Sequence, residues 1–343
     1  MFRNPDEISK RRLISVFPFY SVRMPRDRPV PVDDAPSATD DEKRPTAIGR
    51  RSYLNLLATT VAAGGTLATG RVTADSGGED GIAVVDVDYE ECYDASSRYN
   101  GLTDVYRVWN QRSGTAPELT TDVQGSEDAC CAHHFDGDQM SANTVYPFDA
   151  NHGNDVDEVY QQFRFHPNGM ELADQGTFRF FWAGLRNGPT SSGGTSQADI
   201  PNGKDGWSVR LGFARRGTHD HPDGYTLFVY VYHMDQSHYV PELNLTESQV
   251  RMDEWNDVQC HQVLNTFEDG RANHDGKFRV WLNGELAFER TDYRWVSTPG
   301  QGIQEAGPHG YWWGSNQNGQ SVYFDDHRIA VGGVPENEGT SAE

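Results

Sequence analysis

Lysine is almost missing from this chain. Of 29 basic residues only four are Lys (Lys10, Lys43, Lys204, Lys277) and 25 are Arg, against 51 acidic residues, so the 343-residue chain carries a formal charge of −22. Such a balance lacks the basic patches that phosphate contacts need, which excludes a nucleic-acid binder. Long apolar runs are missing as well: no stretch of 18 or more apolar residues occurs, which excludes a multi-span helical membrane protein. Helical periodicity is also missing, since almost no window repeats apolar residues three and four apart. Cysteine is scarce, with four residues (Cys92, Cys130, Cys131, Cys260) and no CxxC spacing to make a zinc site. Core-forming material is present. Hydrophobic residues make up 36% and aromatics 11%, too much for wholesale disorder, and 35 Gly are available for turns.

The acidic excess has two readings. One is an acidic tail or binding surface. The other is adaptation to brine, where carboxylates stay hydrated and salt screens their repulsion within about 3 Å. The acids are spread along the chain without a long block, which favours the halophilic reading.

Residues 1–49 are rich in Arg, Pro and Asp and carry no sustained pattern. Then comes Gly49-Arg50-Arg51-Ser52-Tyr53-Leu54-Asn55-Leu56-Leu57, a mildly apolar stretch to Gly70, and the small residues of Val72-Thr73-Ala74. A charged region, a short apolar region and a small-residue cleavage site make an export signal. The Arg pair before Ser-Tyr-Leu resembles a twin-arginine signal, which implies a secreted protein that leaves the cell folded and keeps no membrane anchor. The expected organisation is a signal region over 1–75, a β domain over 76–335 and a polar tail over 336–343. Beyond residue 75 the chain holds 17 basic and 42 acidic residues, a charge of −25, with two Lys. Outside the cell, four Cys favour disulfides. The adjacent Cys130 and Cys131 most easily serve two different partners, with Cys92 and Cys260 as the candidates and the connectivity open.

From about 82 to 333 short β-type runs alternate with Gly-, Asn- and Asp-rich turns. The pattern predicts strands at Ile82–Val87, Val159–His166, Thr177–Trp182, Trp207–Arg215, Tyr225–His233, Asp257–Asn265, Lys277–Asn283 and Ser321–Val331, divided by turns such as Asn202-Gly203, Asp275-Gly276 and Asn283-Gly284. Many strands without helices mean an all-β protein, here a jelly-roll (concanavalin-like) sandwich of two antiparallel sheets.

Alternation within these runs sorts side chains by face. Trp207, Val209, Leu211 and Phe213 oppose Ser208, Arg210, Gly212 and Ala214. Thr226, Phe228, Tyr230 and Tyr232 share a face. Gln162, Arg164 and His166 oppose Phe163 and Phe165. Thr177, Arg179 and Phe181 oppose Phe178 and Phe180. Lys277, Arg279 and Trp281 oppose Phe278, Val280 and Leu282. If the polar faces lie on one sheet, they form a platform of Arg and aromatic rings suited to an anionic sugar chain, because Arg grips carboxylates through two hydrogen bonds. The other reading is the solvated outer face of an ordinary sandwich.

Four segments carry a resemblance. They are Phe181-Trp182-Ala183-Gly184-Leu185 followed by Gly193-Gly194; Gly206-Trp207-Ser208-Val209-Arg210-Leu211; Tyr230-Val231-Tyr232; and Leu264-Asn265-Thr266 with the hairpin Asp275 to Gly284. Tyr311-Trp312-Trp313-Gly314 and Tyr323-Phe324-Asp325-Asp326 complete the order. Together these resemble the alginate and glucuronan lyases of polysaccharide lyase families 14 and 20, over about residues 155–333. The resemblance implies a β-jelly roll that cleaves a uronate polysaccharide by β-elimination, needs no cofactor and works as a monomer. It places catalytic tyrosines at Tyr230 and Tyr232, either of them base or acid, with Arg210 neutralising the substrate carboxylate and Ser208 adding a hydrogen bond. Arg164, Arg179, Gln162, His166, Lys277, Arg279 and Trp281 are the candidates for holding the polysaccharide. One departure stands out: the family 14 enzymes carry a functional Lys where this chain aligns Phe181, and Arg179 or Arg186 would have to supply its charge. A non-catalytic carbohydrate-binding protein of the same fold is the alternative.

No metal site is assigned. His219-x-His221 reads as a polar hairpin tip, and Asp86, Asp88, Asp325 and Asp326, near the two ends of the domain, are carboxylates suited to a structural Ca²⁺. Asn244-Leu245-Thr246 is a glycosylation sequon.

Overall fold

Apolar residues at every second position need two surfaces to hide between, and the chain provides them as two antiparallel sheets. The computed structural model describes residues 73–75, 82–87, 89, 101–111, 117–121, 123, 126, 129–135, 141–153, 156–172, 176–185, 196–215, 224–313 and 319–335. The twin-arginine segment, Asp88, Cys92, Arg186, Gly193-Gly194, His219-x-His221 and the 336–343 tail lie outside these.

In chain order the strands are β1 (Thr73–Asp75), β2 (Ala83–Val87), β3 (Arg107–Gln111), β4 (Glu118–Thr120), β5 (Cys130–Phe135), β6 (Ser141–Pro147), β7 (Glu158–His166), β8 (Thr177–Gly184) and β9 (Ser208–Ala214). They continue as β10 (Gly224–Tyr232), β11 (Glu242–Arg251), β12 (Asn256–Val263), β13 (Phe267–Glu268), β14 (Arg271–Ala272), β15 (Gly276–Leu282), β16 (Glu285–Tyr293), β17 (Glu305–Trp313) and β18 (Gln320–Val331). The first sheet runs β1-β2-β18-β7-β12-β15-β16, with β5 also on β18 and β4 on β5; the second runs β11-β10-β9-β8-β17-β6-β3. This is the expected all-β jelly-roll sandwich. β1 pairs with β2, so strand pairing starts at Thr73, just ahead of the expected boundary at 75.

All eight expected strands form, with ends shifted by one or two residues. Their inner residues make the core. Phe165 of β7 stacks on Phe180 of β8 at 4.5 Å, Phe163 on Phe181 at 5.9 Å, and Phe135 of β5 meets Phe178 edge-on at 5.4 Å. Aromatic pairs in such geometries gain energy beyond the area they bury.

One face assignment changes. A bulge between Arg179 and Phe181 shifts the register of β8 against β9. Phe180 and Phe181 therefore both enter the core, and Phe181 does not share a face with Arg179 as alternation predicted. A bulge adds a residue and reverses the alternation after it.

Cys260 of β12 is a buried free thiol, which corrects its candidacy as a disulfide partner. Burial pushes its pKa well above the ordinary thiol value, so it is not primed to react.

The two sheets are also clipped at one side. β11 and β16 are edge strands of different sheets. Arg290 of β16 donates from Nη1 to both carboxylate oxygens of Glu242 of β11, at 2.7 and 2.9 Å, and His233 Nε2 lies 3.0 Å from Glu242 Oε2. The Arg290 guanidinium sits 4.2 Å over the Tyr293 ring, which packs on the buried Trp295 at 4.3 Å. The His233 hydrogen bond, and after it Arg290, hold the Glu242 carboxyl at about 2 against the opposing cost of burial. A depressed carboxyl pKa stabilises the fold above its unfolded value and is lost as pH falls through the folded value. The contribution of this clip should therefore fade between the ordinary Glu value of 4.5 and about 2. Glu242→Gln should lower the melting temperature at pH 7 and flatten its fall across that acid range. Thermal melts of both proteins from pH 7 down to the acid limit check this, and parallel curves would show that the clip carries no pH-dependent stability.

Candidate active site

The outward face of the second sheet is built from β8, β9, β10 and β17. Antiparallel register puts directly opposed residues on one side of a sheet. Tyr230 opposes Arg210, which opposes Trp182; Tyr232 opposes Ser208, which opposes Gly184; and Tyr311 of β17 opposes Arg179. Because Val209, Leu211 and Phe213 of β9 and Leu227, Val229 and Val231 of β10 fill the core, their polar neighbours must face outward.

The structure therefore brings together Ser208, Arg210, Tyr230, Tyr232 and Arg179. The Tyr230 and Tyr232 hydroxyls are 3.0 Å apart. The Arg210 guanidinium lies 5.4 Å from each of their rings. Arg179 lies 4.4 Å over the Tyr230 ring and 4.7 Å over that of Tyr311. Ser208, Arg210 and Tyr232 are buried, whereas Tyr230, Tyr311 and Arg179 are half-buried.

Burial sets the protonation states. It raises the Tyr232 pKa first of all, followed by the charge and hydrogen bond of Tyr230, and the nearby Arg210 and Arg179 only partly offset this. Tyr232 thus holds its proton throughout the physiological range. Burial lowers the Arg210 pKa, with Tyr230 opposing and Arg179 adding to the shift. An Arg starts so high that it stays charged regardless.

Arg179 differs from most arginines among the described residues. Arg107, Arg164, Arg279, Arg290, Arg294 and Arg328 each pair with a carboxylate. Among the described residues Arg179 pairs with none, and its Nε, though buried, meets no hydrogen-bond acceptor.

The other candidates lie elsewhere. Gln162, Arg164 and His166 of β7, with Lys277, Arg279 and Trp281 of β15, occupy the outward face of the first sheet, on the far side of the core. A single platform of all eleven residues is therefore not formed. Arg164 bonds Asp325 at 2.9 Å and Asp326 at 3.0 Å and stacks 4.8 Å over Trp255. Arg279 pairs with Glu289, and Tyr160 donates to Gln162 at 3.2 Å. His166 packs edge-on to Trp255 at 5.2 Å, and burial, opposed by Asp253, lowers its pKa.

The carboxylates considered for Ca²⁺ are partly engaged: Asp325 and Asp326 hold Arg164, and Asp86 lies 3.5 Å from Arg328. Among the described residues no three His, Cys, Asp or Glu side chains gather to hold a metal. Asn244 of β11 donates to Glu242 at 3.1 Å.

Reading the sequence for site residues missed Trp182, His309 and the site position of Tyr311. Trp182 took its outward position because of the bulge. His309 and Tyr311 sit on β17, whose Gly307, Pro308 and Gly310 read as a loop. His309 is buried and its ring lies parallel to that of Tyr311 at 6.3 Å. Burial, then Arg210, Arg179 and His133, keep its pKa well below the ordinary histidine value, so it is neutral at pH 7.

No protein family's sequence profile matches the chain. No curated protein matches it either. Solved structures do. A marine PL-14 alginate lyase from Aplysia kurodai aligns with a TM-score of 0.48 and 16% identity, over 67% of this chain and 91% of its own. The alginate lyase Aly36B, in complex with alginate trisaccharide, aligns with 0.48 and 13%, over 72% and 97%. The carbohydrate recognition domain of Emp47p aligns with 0.39 and 14%, over 70% and 92%. At these identities and TM-scores the likeness carries nothing about the activity of this chain. The two-sheet jelly-roll sandwich follows from the chain's own strand order, and its structural neighbours include alginate lyases.

Gly212 gives a direct test of how tightly this face is built. It opposes both Arg179 and Phe228, and a Cβ there would lie 2.4 Å from the Phe178 carbonyl oxygen and 2.4 Å from the Phe228 ring. Gly212→Ala should destabilise the protein by about 1–3 kcal/mol, because a backbone carbonyl cannot rotate out of the way. The urea midpoint reads this, and an unchanged midpoint would mean that the strands part freely at this point.

Proposed function

We propose that this protein is an exported polysaccharide lyase that cleaves an anionic, uronate-containing polysaccharide by β-elimination. The observation that carries the reading is the Tyr230–Tyr232 hydroxyl pair at 3.0 Å with two guanidinium groups over its rings. The proton beside a uronate carboxylate is weakly acidic until the carboxylate charge is neutralised. Arg179 and Arg210 offer that neutralisation, and Ser208 an added hydrogen bond.

The tyrosine pair can move the proton without forming a free phenolate. Tyr230, the more open of the two, takes the C5 proton while passing its own to Tyr232. Tyr232 gives its proton to the leaving glycosidic oxygen as the C4–O bond breaks. A C4–C5 double bond forms, and both hydroxyls end as they began. Burial keeps Tyr232 protonated, so it enters the relay carrying a proton and does not act as a free base. Export rests on the Arg50-Arg51 segment, and function in brine on the acidic composition.

The second reading is a non-catalytic carbohydrate-binding protein. It is favoured by the burial of Ser208, Arg210 and Tyr232, each at most 5% exposed, since groups closed to solvent can brace a platform without touching substrate.

Folded protein incubated with alginate and with glucuronan in molar salt separates the two. The lyase reading expects unsaturated uronate ends, followed by ultraviolet absorbance, and a loss of roughly 10²–10⁴-fold in turnover for Tyr232→Phe. Retention on a polyuronate matrix without chain shortening selects the binding protein. Neither product nor retention on any polyuronate would remove both.

A further inference from the structure

We propose that Tyr311 is a positioning residue that fixes Arg179 as the receptor for the carboxylate of a uronate sugar. The inference rests on the uronate reading above and names the group that recognises the charge.

The geometry begins at β9. Arg179 of β8 faces Gly212 across β9, where there is no side chain. The long guanidinium arm can therefore pass over β9 and reach Tyr230 of β10, with which it is in contact at 4.4 Å. On its other side, β17 brings Tyr311, the direct register partner of Arg179, to 4.7 Å. Two electron-rich rings from strands on either side thus hold the cation in place. Ring faces attract a guanidinium without neutralising it. A carboxylate partner would have neutralised it, and in a chain with 51 acids Arg179 has none among the described residues. Arg179 is only half-buried, and the two terminal nitrogens of its guanidinium are the pair suited to the parallel hydrogen bonds that a carboxylate accepts.

Tyr311 is itself braced. The His309 ring lies parallel to it, with a 2° angle between planes, and is buried. A charged imidazole there would repel Arg179 and Arg210. Its neutrality, set first by burial and then by those guanidiniums, makes it an uncharged support. Side-chain rotamers locked in this way lower the entropy cost of gripping a ligand.

The test is calorimetric titration in molar potassium chloride, with alginate and glucuronan oligosaccharides and a neutral cello-oligosaccharide as control. It is run in a Tyr232→Phe background so that the ligand is not consumed. Tyr311→Leu should weaken uronate binding by roughly five- to tenfold with little change for the neutral sugar, and Tyr311→Phe, which keeps the ring, should restore it. Arg179→Met should abolish the preference for the charged sugar, a loss of roughly ten- to a hundredfold, and Arg179→Lys should not rescue it because a planar fork is required. Melting temperatures of all variants show that they are folded. The proposal is overturned if Tyr311→Leu binds uronate normally, if Tyr311→Phe is as weak as Tyr311→Leu, or if Arg179→Met keeps the preference. An active lyase with any of those results loses the receptor and keeps the function. A protein that never shortens a polyuronate yet shows the expected binding pattern keeps the receptor and loses the lyase.

Discussion

The closure of two sheets over a continuous layer of aromatic rings is the constraint on which the rest of this structure depends. Phe163 and Phe165 of β7 meet Phe180 and Phe181 of β8 at ring distances between 4.5 and 6.4 Å. Each strand of the second sheet commits its apolar side to that layer, so its alternate residues have only the outer face to occupy. The polar residues on that face are rich in guanidinium and phenol groups. Core packing thus selects the site: a register slip of one residue in β9 would bury Arg210 among phenylalanines and expose Leu211, at a cost no marginally stable fold can carry.

The outer face then solves a second problem, how to keep two arginines near each other in a partly buried place. Like charges repel more strongly as water is removed. Arg210 pairs its charge with the faces of Tyr230 and Tyr232, and Arg179 with those of Tyr230 and Tyr311. Tyr230 is shared by both, so it holds the cluster together as well as offering a hydroxyl. The same arrangement explains the protonation states around it. Tyr232 keeps its proton because burial outweighs the guanidinium field, and His309 stays neutral because burial and that field act in the same direction.

The sequence made the fold legible wherever one side of a strand is wholly apolar. β7, β9, β10 and β15 alternate so cleanly that their faces could be assigned in advance. β17 could not be found this way. Gly307, Pro308 and Gly310 interrupt it, and it becomes a strand only because β8 and β6 lie on both sides to pair with it. The bulge at Phe181 was hidden for a related reason, since two adjacent phenylalanines fit alternation of either phase. For the site, alternation grouped residues correctly within β7, β9, β10 and β15, though not past the bulge of β8, but could not say which sheet a strand would join. Gln162 and Arg164 on β7, and Lys277, Arg279 and Trp281 on β15, alternate much as the Arg and Tyr strands do. They nevertheless belong to the other sheet, because strand order is set by long-range pairing that no local pattern records.

The chain's charge sets the terms on which any polyanion could be met. Excess carboxylate repels a uronate chain at a distance, and the long-range field of the protein cannot steer such a ligand inward. In molar salt that repulsion decays within about 3 Å, so only groups in direct contact matter. Most of the described arginines have their charge answered by a neighbouring carboxylate and offer a polyanion little. A cation flanked by aromatic rings is different, because its charge is stabilised without being cancelled. On the proposed uronate reading, the placement of Tyr230 and Tyr311 around Arg179 would decide where a carboxylate is received, and the small number of positive groups would become a source of selectivity for one position on one sheet.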